Sequence, residues 1–136
     1  MAKLDDPVIQ AELGLSKEFL NDAKFLFDKD SLRSASSRMY YSVFHAARAI
    51  LFKHGFQPKT HKGTFSIFGK EIIGNKLISS EHAKVLSRAY SLREQADYQP
   101  LASIEKKELN DLIKQAEKFL KDTEDFLQNV QENKDQ

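Results

Sequence analysis

The chain has no cysteine and no tryptophan, and only five glycines and three prolines among 136 residues. Without cysteine there is no disulfide, no thiolate metal ligand and no thiol nucleophile. So few turn formers, with 30% of residues charged, argue against many short strands and for helices. The longest apolar stretches run only a few residues, far short of the roughly 20 that cross a bilayer. Residues 1–30 carry seven acidic groups and no long apolar run, which argues against a secretory leader. A soluble, cytoplasmic protein is the expectation. At this length one domain is the most economical organisation, with 1–130 as the helical domain and 131–136 as a polar tail.

A second absence is local. From Ser31 to Lys70 there is no Asp or Glu, while Arg33, Arg38, Arg48, Lys53, Lys59, Lys62 and Lys70 give that window a charge of +7. The remaining residues carry 14 basic and 20 acidic groups, so the whole-chain charge of +1 conceals the asymmetry. Three of the four histidines also fall in the window. A near-neutral protein that concentrates positive charge in this way can present it to phosphates or to an acidic partner.

Five helical segments can be drawn. Asp6-Pro7 reads as an N-cap followed by Pro at the first helical position, opening a helix to about Phe27. Its core arc is Ile9, Leu13, Leu20, Ala23 and Phe27. Ser31 is placed to cap a second helix that stops at Gly55. There Leu32, Met39, Val43, Ala46 and Ile50, flanked by Tyr40, Phe44, Ala47 and Leu51, make an apolar arc broad enough for a central helix. Residues 56–63 read as a loop, Thr64 to Ile73 as a short helix ended at Gly74-Asn75. Ser79 or Ser80 is expected to cap a fourth helix to about Ala96. After the break at Tyr98-Gln99-Pro100, Ser103 is expected to cap the last. In that helix Leu109, Leu112, Ile113, Ala116, Phe119, Leu120, Phe126, Leu127 and Val130 recur at three and four residues. Nothing alternates with period two. The fold class is all-α, a helical bundle.

On the second helix Arg38, Tyr41, His45 and Arg48 are spaced three, four and three, and so share one stripe. Charge, phenol and imidazole on one surface suit a grip on phosphate, or proton transfer by His45. The plainer alternative is partly buried Tyr41 and His45 with arginines that solvate the helix. Pro58-Lys59-Thr60-His61-Lys62-Gly63 adds two lysines and an imidazole ahead of a helix, as an anion site or as a solvated turn. Arg93 and Asp97, four apart and followed by Tyr98, make either an ordinary ion pair or a polar cluster at a helix end. Dispersed histidines without a second shell give no metal site, and no cofactor motif is present.

The runs Ser37-Arg38-Met39-Tyr40-Tyr41-Ser42-Val43-Phe44-His45-Ala46-Ala47, Pro58-Lys59-Thr60-His61-Lys62-Gly63, Phe68-Gly69-Lys70 and Arg93-Glu94-Gln95-Ala96-Asp97-Tyr98 together resemble the HEPN family (higher eukaryotes and prokaryotes nucleotide-binding). The likeness spans roughly residues 10–127 and is nearest to the family's small single-domain bacterial and archaeal proteins. It implies an antiparallel bundle of four long helices plus a short one, usually homodimeric. It also implies a toxin–antitoxin pairing with a minimal nucleotidyltransferase encoded nearby. Nucleotide or RNA binding would fall to Arg38, Tyr41, His45, Arg48, Lys59, His61, Lys62, Arg93, Asp97 and Tyr98.

Several members of that family are metal-independent ribonucleases, marked by an Arg and a His with four to six residues between them. After Arg93 the corresponding positions hold Tyr98, Gln99 and Pro100. Arg38 and His45 have six residues between them, but on the earlier helix, and they are the catalytic candidates. Three readings follow. The first is a nucleotide- or RNA-binding member of a two-protein module, the second a ribonuclease, and the third a helical protein-interaction module.

Overall fold

The computed structural model describes the backbone of residues 6–135 and the side chains through residue 129. Its helices are α1 (Pro7–Asp28), α2 (Leu32–Lys53), α3 (His61–Ile67), α4 (Ser80–Tyr98) and α5 (Lys106–Asp135), with a π-helical segment, Phe68–Ile73, continuing α3. No strand occurs among the described residues, and no helix is long and apolar enough to cross a membrane. The all-helical class read from the sequence is the class observed.

At the start of α1 the Asp6 carboxylate accepts from the Val8 N–H at 2.9 Å, with Pro7 at the first position as expected. Ser31 precedes α2, but its hydroxyl makes no capping bond. Its N–H instead closes the end of α1 on the Leu26 carbonyl at 2.9 Å. Gly55, at φ 86°, ends α2 by the left-handed turn that glycine adopts without strain.

The core arcs lie largely where periodicity puts them. Ile9, Leu13, Leu20 and Ala23 of α1 are buried, with Phe27 partly so. In α2, Met39, Tyr40, Val43, Phe44, Ala46, Ala47, Ile50 and Leu51 are buried, and Leu32 is half-buried. Helix α2 packs against every other element, as its broad arc requires. Small side chains on it (Ala35, Ser36, Ser42, Ala46, Ala49) are all buried, and the Ser16 hydroxyl donates across to the Ser42 carbonyl at 2.6 Å. From α5, Leu109, Leu112, Ile113, Ala116, Phe119, Leu120 and Leu127 close the core. The expected Val130 contact and the side chains of the 131–136 tail lie outside the described residues, though the α5 backbone runs to Asp135.

Three boundaries differ from expectation. His61-Lys62-Gly63 is not loop but the first turn of α3, because Thr60 caps it: its hydroxyl accepts from the Gly63 N–H at 2.9 Å. Tyr98 closes α4 rather than breaking it, and α5 opens at Lys106, so Ser103 is not its cap. The end of α4 has a cap from outside. The Arg33 guanidinium donates to the carbonyls of Ala96 (2.9 Å), Gln99 and Pro100 (both 3.2 Å) and of Ala102, gathering the chain as it leaves the helix. The Ala96 carbonyl lies in the last turn of α4, where carbonyls lack an intrahelical partner and a cation is favoured.

Candidate functional site

The stripe on α2 and the end of α4 meet. Arg93 Nη2 donates to the Tyr41 hydroxyl at 3.1 Å and reaches the Tyr98 hydroxyl at 3.4 Å. Its guanidinium carbon lies 5.3–5.7 Å from the ring centres of Tyr40, Tyr41 and Tyr98. Glu94 accepts from Nη1 at 3.0 Å. The Asp97 carboxylate sits 2.9 Å from Nε as an ion contact rather than an aligned hydrogen bond, since that N–H meets no acceptor geometrically. Partial burial works against the Arg93 charge, but the surrounding phenol and carboxylate oxygens outweigh it and raise its pKa. Arg93 therefore stays a cation, with carboxylates on one edge and neutral hydroxyls on the other.

Two imidazoles flank this group. His61, on the first turn of α3, stacks on Phe44 at 4.3 Å and shares a 2.5 Å hydrogen bond between its Nδ1 and the Tyr40 hydroxyl. Tyr40 is fully buried, and burial pushes its phenol far above the ordinary range, so it keeps its proton. Burial, then Arg93, Arg48 and His45, hold the His61 pKa below its usual value. Where the Tyr40 O–H donates to Nδ1, the neutral ring carries its proton on Nε2.

His45 is anchored differently. Its Nδ1 lies 2.6 Å from Oε2 of Glu12, a buried residue of α1. The other Glu12 oxygen accepts from Arg48 Nε at 3.1 Å, while Arg48 Nη1 donates to the Pro58 carbonyl at 2.8 Å. Burial alone would raise the Glu12 pKa, but the hydrogen bonds and charges of His45 and Arg48 prevail and lower it. Phe19 stacks on His45 at 5.5 Å, and the exposed Arg38 lies over that same Phe19 ring at 5.6 Å.

Tyr41, His45, Arg48, His61, Arg93, Asp97 and Tyr98 thus form one polar cluster around Phe44 and Tyr40, with Arg38 one ring away. Lys59 and Lys62 flank His61 as exposed side chains and make no ion pair among the described residues. The window does not act as one patch, since Arg33 is committed to carbonyls and Lys53 is fully buried. The Gly63 N–H, in the first turn of α3, is taken by the Thr60 hydroxyl rather than left for an anion. Among the described residues no group of three or more His, Asp or Glu is placed to hold a metal. A cavity of about 240 Å³ lies elsewhere, between α4 and α5, lined by His82, Gln115 and Phe119 among others.

The family model described as "HEPN domain" matches residues 13–126. The chain belongs to the HEPN family. Similar proteins include one of Methanocaldococcus jannaschii named "Putative toxin MJ0605", 34% identical over 82% of this chain and 83% of its own length. A "UPF0332 protein" of Archaeoglobus fulgidus is 35% identical over 88% and 90% of the two chains, and one of Thermotoga maritima 30% identical over 85% and 87%. Two members of the polar cluster escaped the sequence reading, Glu12 and Tyr40. Glu12 left a signal, because it falls in phase with Ile9, Leu13 and Ser16 on the buried arc of α1.

Proposed function

We propose that this HEPN protein binds the phosphate of a nucleotide or RNA at the Arg93–Tyr41–Tyr98 group, with His45 and His61 beside it. The observation that carries the reading is the Nη2 edge of Arg93, whose partners are two neutral hydroxyls. Each accepts from the guanidinium and keeps its own O–H to donate, so an incoming phosphate oxygen meets a fixed cation and two donors. Arg38, Lys59 and Lys62 are the exposed cations that would draw an anion in, and Arg48 and Asp97 hold the frame.

Two relatives are named putative toxins, which supports a toxin-like role. The resemblance to the family adds the rest of the reading, a pairing with a separate minimal nucleotidyltransferase in the cytoplasm. A homodimer of antiparallel four-helix bundles fits the apolar side chains left outside the core, among them Val8, Leu15, Phe25 and Leu101. A second reading, metal-independent ribonuclease, is favoured by His45. With Nδ1 bound to a carboxylate, its Nε2 is open to take the 2′-OH proton of RNA. Purified protein incubated with an oligoribonucleotide and its DNA counterpart separates the readings. Salt-sensitive binding of uncut RNA supports the first; RNA cleavage lost in His45→Ala, with DNA intact, supports the second. Neither binding nor cleavage would leave only a protein-interaction module.

A further inference from the structure

We propose that Glu12 is the positioning residue for both imidazoles of this site. From α1 it sets the tautomer of His45, and through Arg48 it holds the segment that delivers His61. The assignment rests on the phosphate-binding reading and adds to it a side chain from outside the basic window.

A carboxylate on the core-facing arc of a helix is costly to desolvate and persists where both oxygens are engaged. Glu12 meets that condition, with Oε2 on His45 Nδ1 at 2.6 Å and Oε1 on Arg48 Nε at 3.1 Å. An ionised carboxylate only accepts, so the neutral His45 ring must carry its proton on Nδ1 and keep the Nε2 lone pair bare. Among the described residues nothing donates to that Nε2. Phe19, stacked at 5.5 Å, and Phe44, edge-on at 5.4 Å, restrict rotation of the ring.

The second arm runs through Arg48. Its Nη1 donates to the Pro58 carbonyl at 2.8 Å, two residues before the Thr60 cap that opens α3 with His61. The guanidinium is planar, so fixing Nε on Glu12 also fixes the direction of Nη1. With both rings neutral, His61 carries its proton on Nε2 and His45 a lone pair there. One imidazole presents a donor and the other an acceptor, and a single carboxylate maintains the difference.

The test is nitrogen NMR of the histidine rings in the full chain, with amide exchange over residues 56–60. Wild-type His45, where neutral, should show Nδ1 protonated and Nε2 bare. In Glu12→Ala that pattern should give way to the Nε2–H form, and exchange over 56–60 should rise at least about fivefold. If that variant does not fold, Glu12→Gln keeps the size but offers one acceptor oxygen to two donors, so at least one of the two changes must appear. A wild-type His45 protonated on Nε2, or variants with wild-type tautomer and wild-type exchange, overturns the proposal. Oligoribonucleotide binding is measured alongside. A wild type that binds none, with the tautomer still lost in the variants, overturns the phosphate reading while supporting the role of Glu12.

Discussion

His61 depends on its surroundings for its charge state, and that dependence extends to stability. Burial and the neighbouring Arg93 and Arg48 disfavour its imidazolium, and burial likewise lowers the pKa of His54 and His82. The unfolded chain, with ordinary histidines near 6.5, then binds more protons than the native state once the pH drops below that value. Stability contributed by these groups is complete above about pH 6.5 and is lost as the pH falls through their lower native values. The urea midpoint should therefore fall between pH 7 and pH 5, before carboxylate protonation contributes. A midpoint that is flat or rises over that interval would contradict the assignments. At this scale the sequence exposed the cations and histidines by type but not their partners. Arg33 and Lys53 count toward a basic window until the fold commits one to carbonyls and buries the other. Glu12 lies outside every motif, and only its phase on α1 gives it away.

Helices α1, α2 and α5 were legible because an amphipathic arc repeats over five or more turns, and Asp6-Pro7 and Gly55 mark ends by local chemistry. Of the 61–73 region only 64–73 was legible, and only as helical, while 61–63 read as loop. Its first turn depends on a threonine cap, and the change from α to π winding shifts a hydrogen bond by one residue without a residue code. The Gly74 N–H reaches the Gly69 carbonyl at 2.9 Å, as that winding requires. The same turn brings the Lys70 carbonyl to 2.4 Å from where a Cβ on Gly74 would sit. Gly74→Ala should therefore destabilise the fold by about 1–3 kcal/mol, read as a lower urea midpoint at unchanged helical content. Gly69, where an added Cβ meets nothing within 4 Å, is the matched control, and Gly69→Ala should cost much less.

For the whole molecule, the all-helical class and the core were readable from periodicity, and the likeness to HEPN proteins was carried by runs spread over most of the chain. The likeness assigns the α2 stripe and the α4 end to one function, and the fold brings them together by packing α4 on α2. The site itself is a surface cluster in which aromatic rings set the spacing and carboxylates set the orientation. Apolar side chains remain exposed at Val8, Leu15, Phe25 and Leu101. Sedimentation at micromolar concentration should show a dimer, and a monomer alone would remove that part of the reading.

The most direct measurement is fluorescence anisotropy of a labelled oligoribonucleotide titrated with wild type and with the Tyr41→Phe, Tyr98→Phe double variant, at low and moderate salt. The substitutions keep both rings against Arg93 and remove only the two hydroxyls. Hydrogen bonds to charged groups are worth about 1.5–3 kcal/mol each, so the double variant should bind at least about tenfold more weakly with its helices intact. Wild-type binding should also weaken as salt rises. Equal affinity of the two proteins, or no binding by wild type, would contradict the assignment of Arg93, Tyr41 and Tyr98 as the phosphate site.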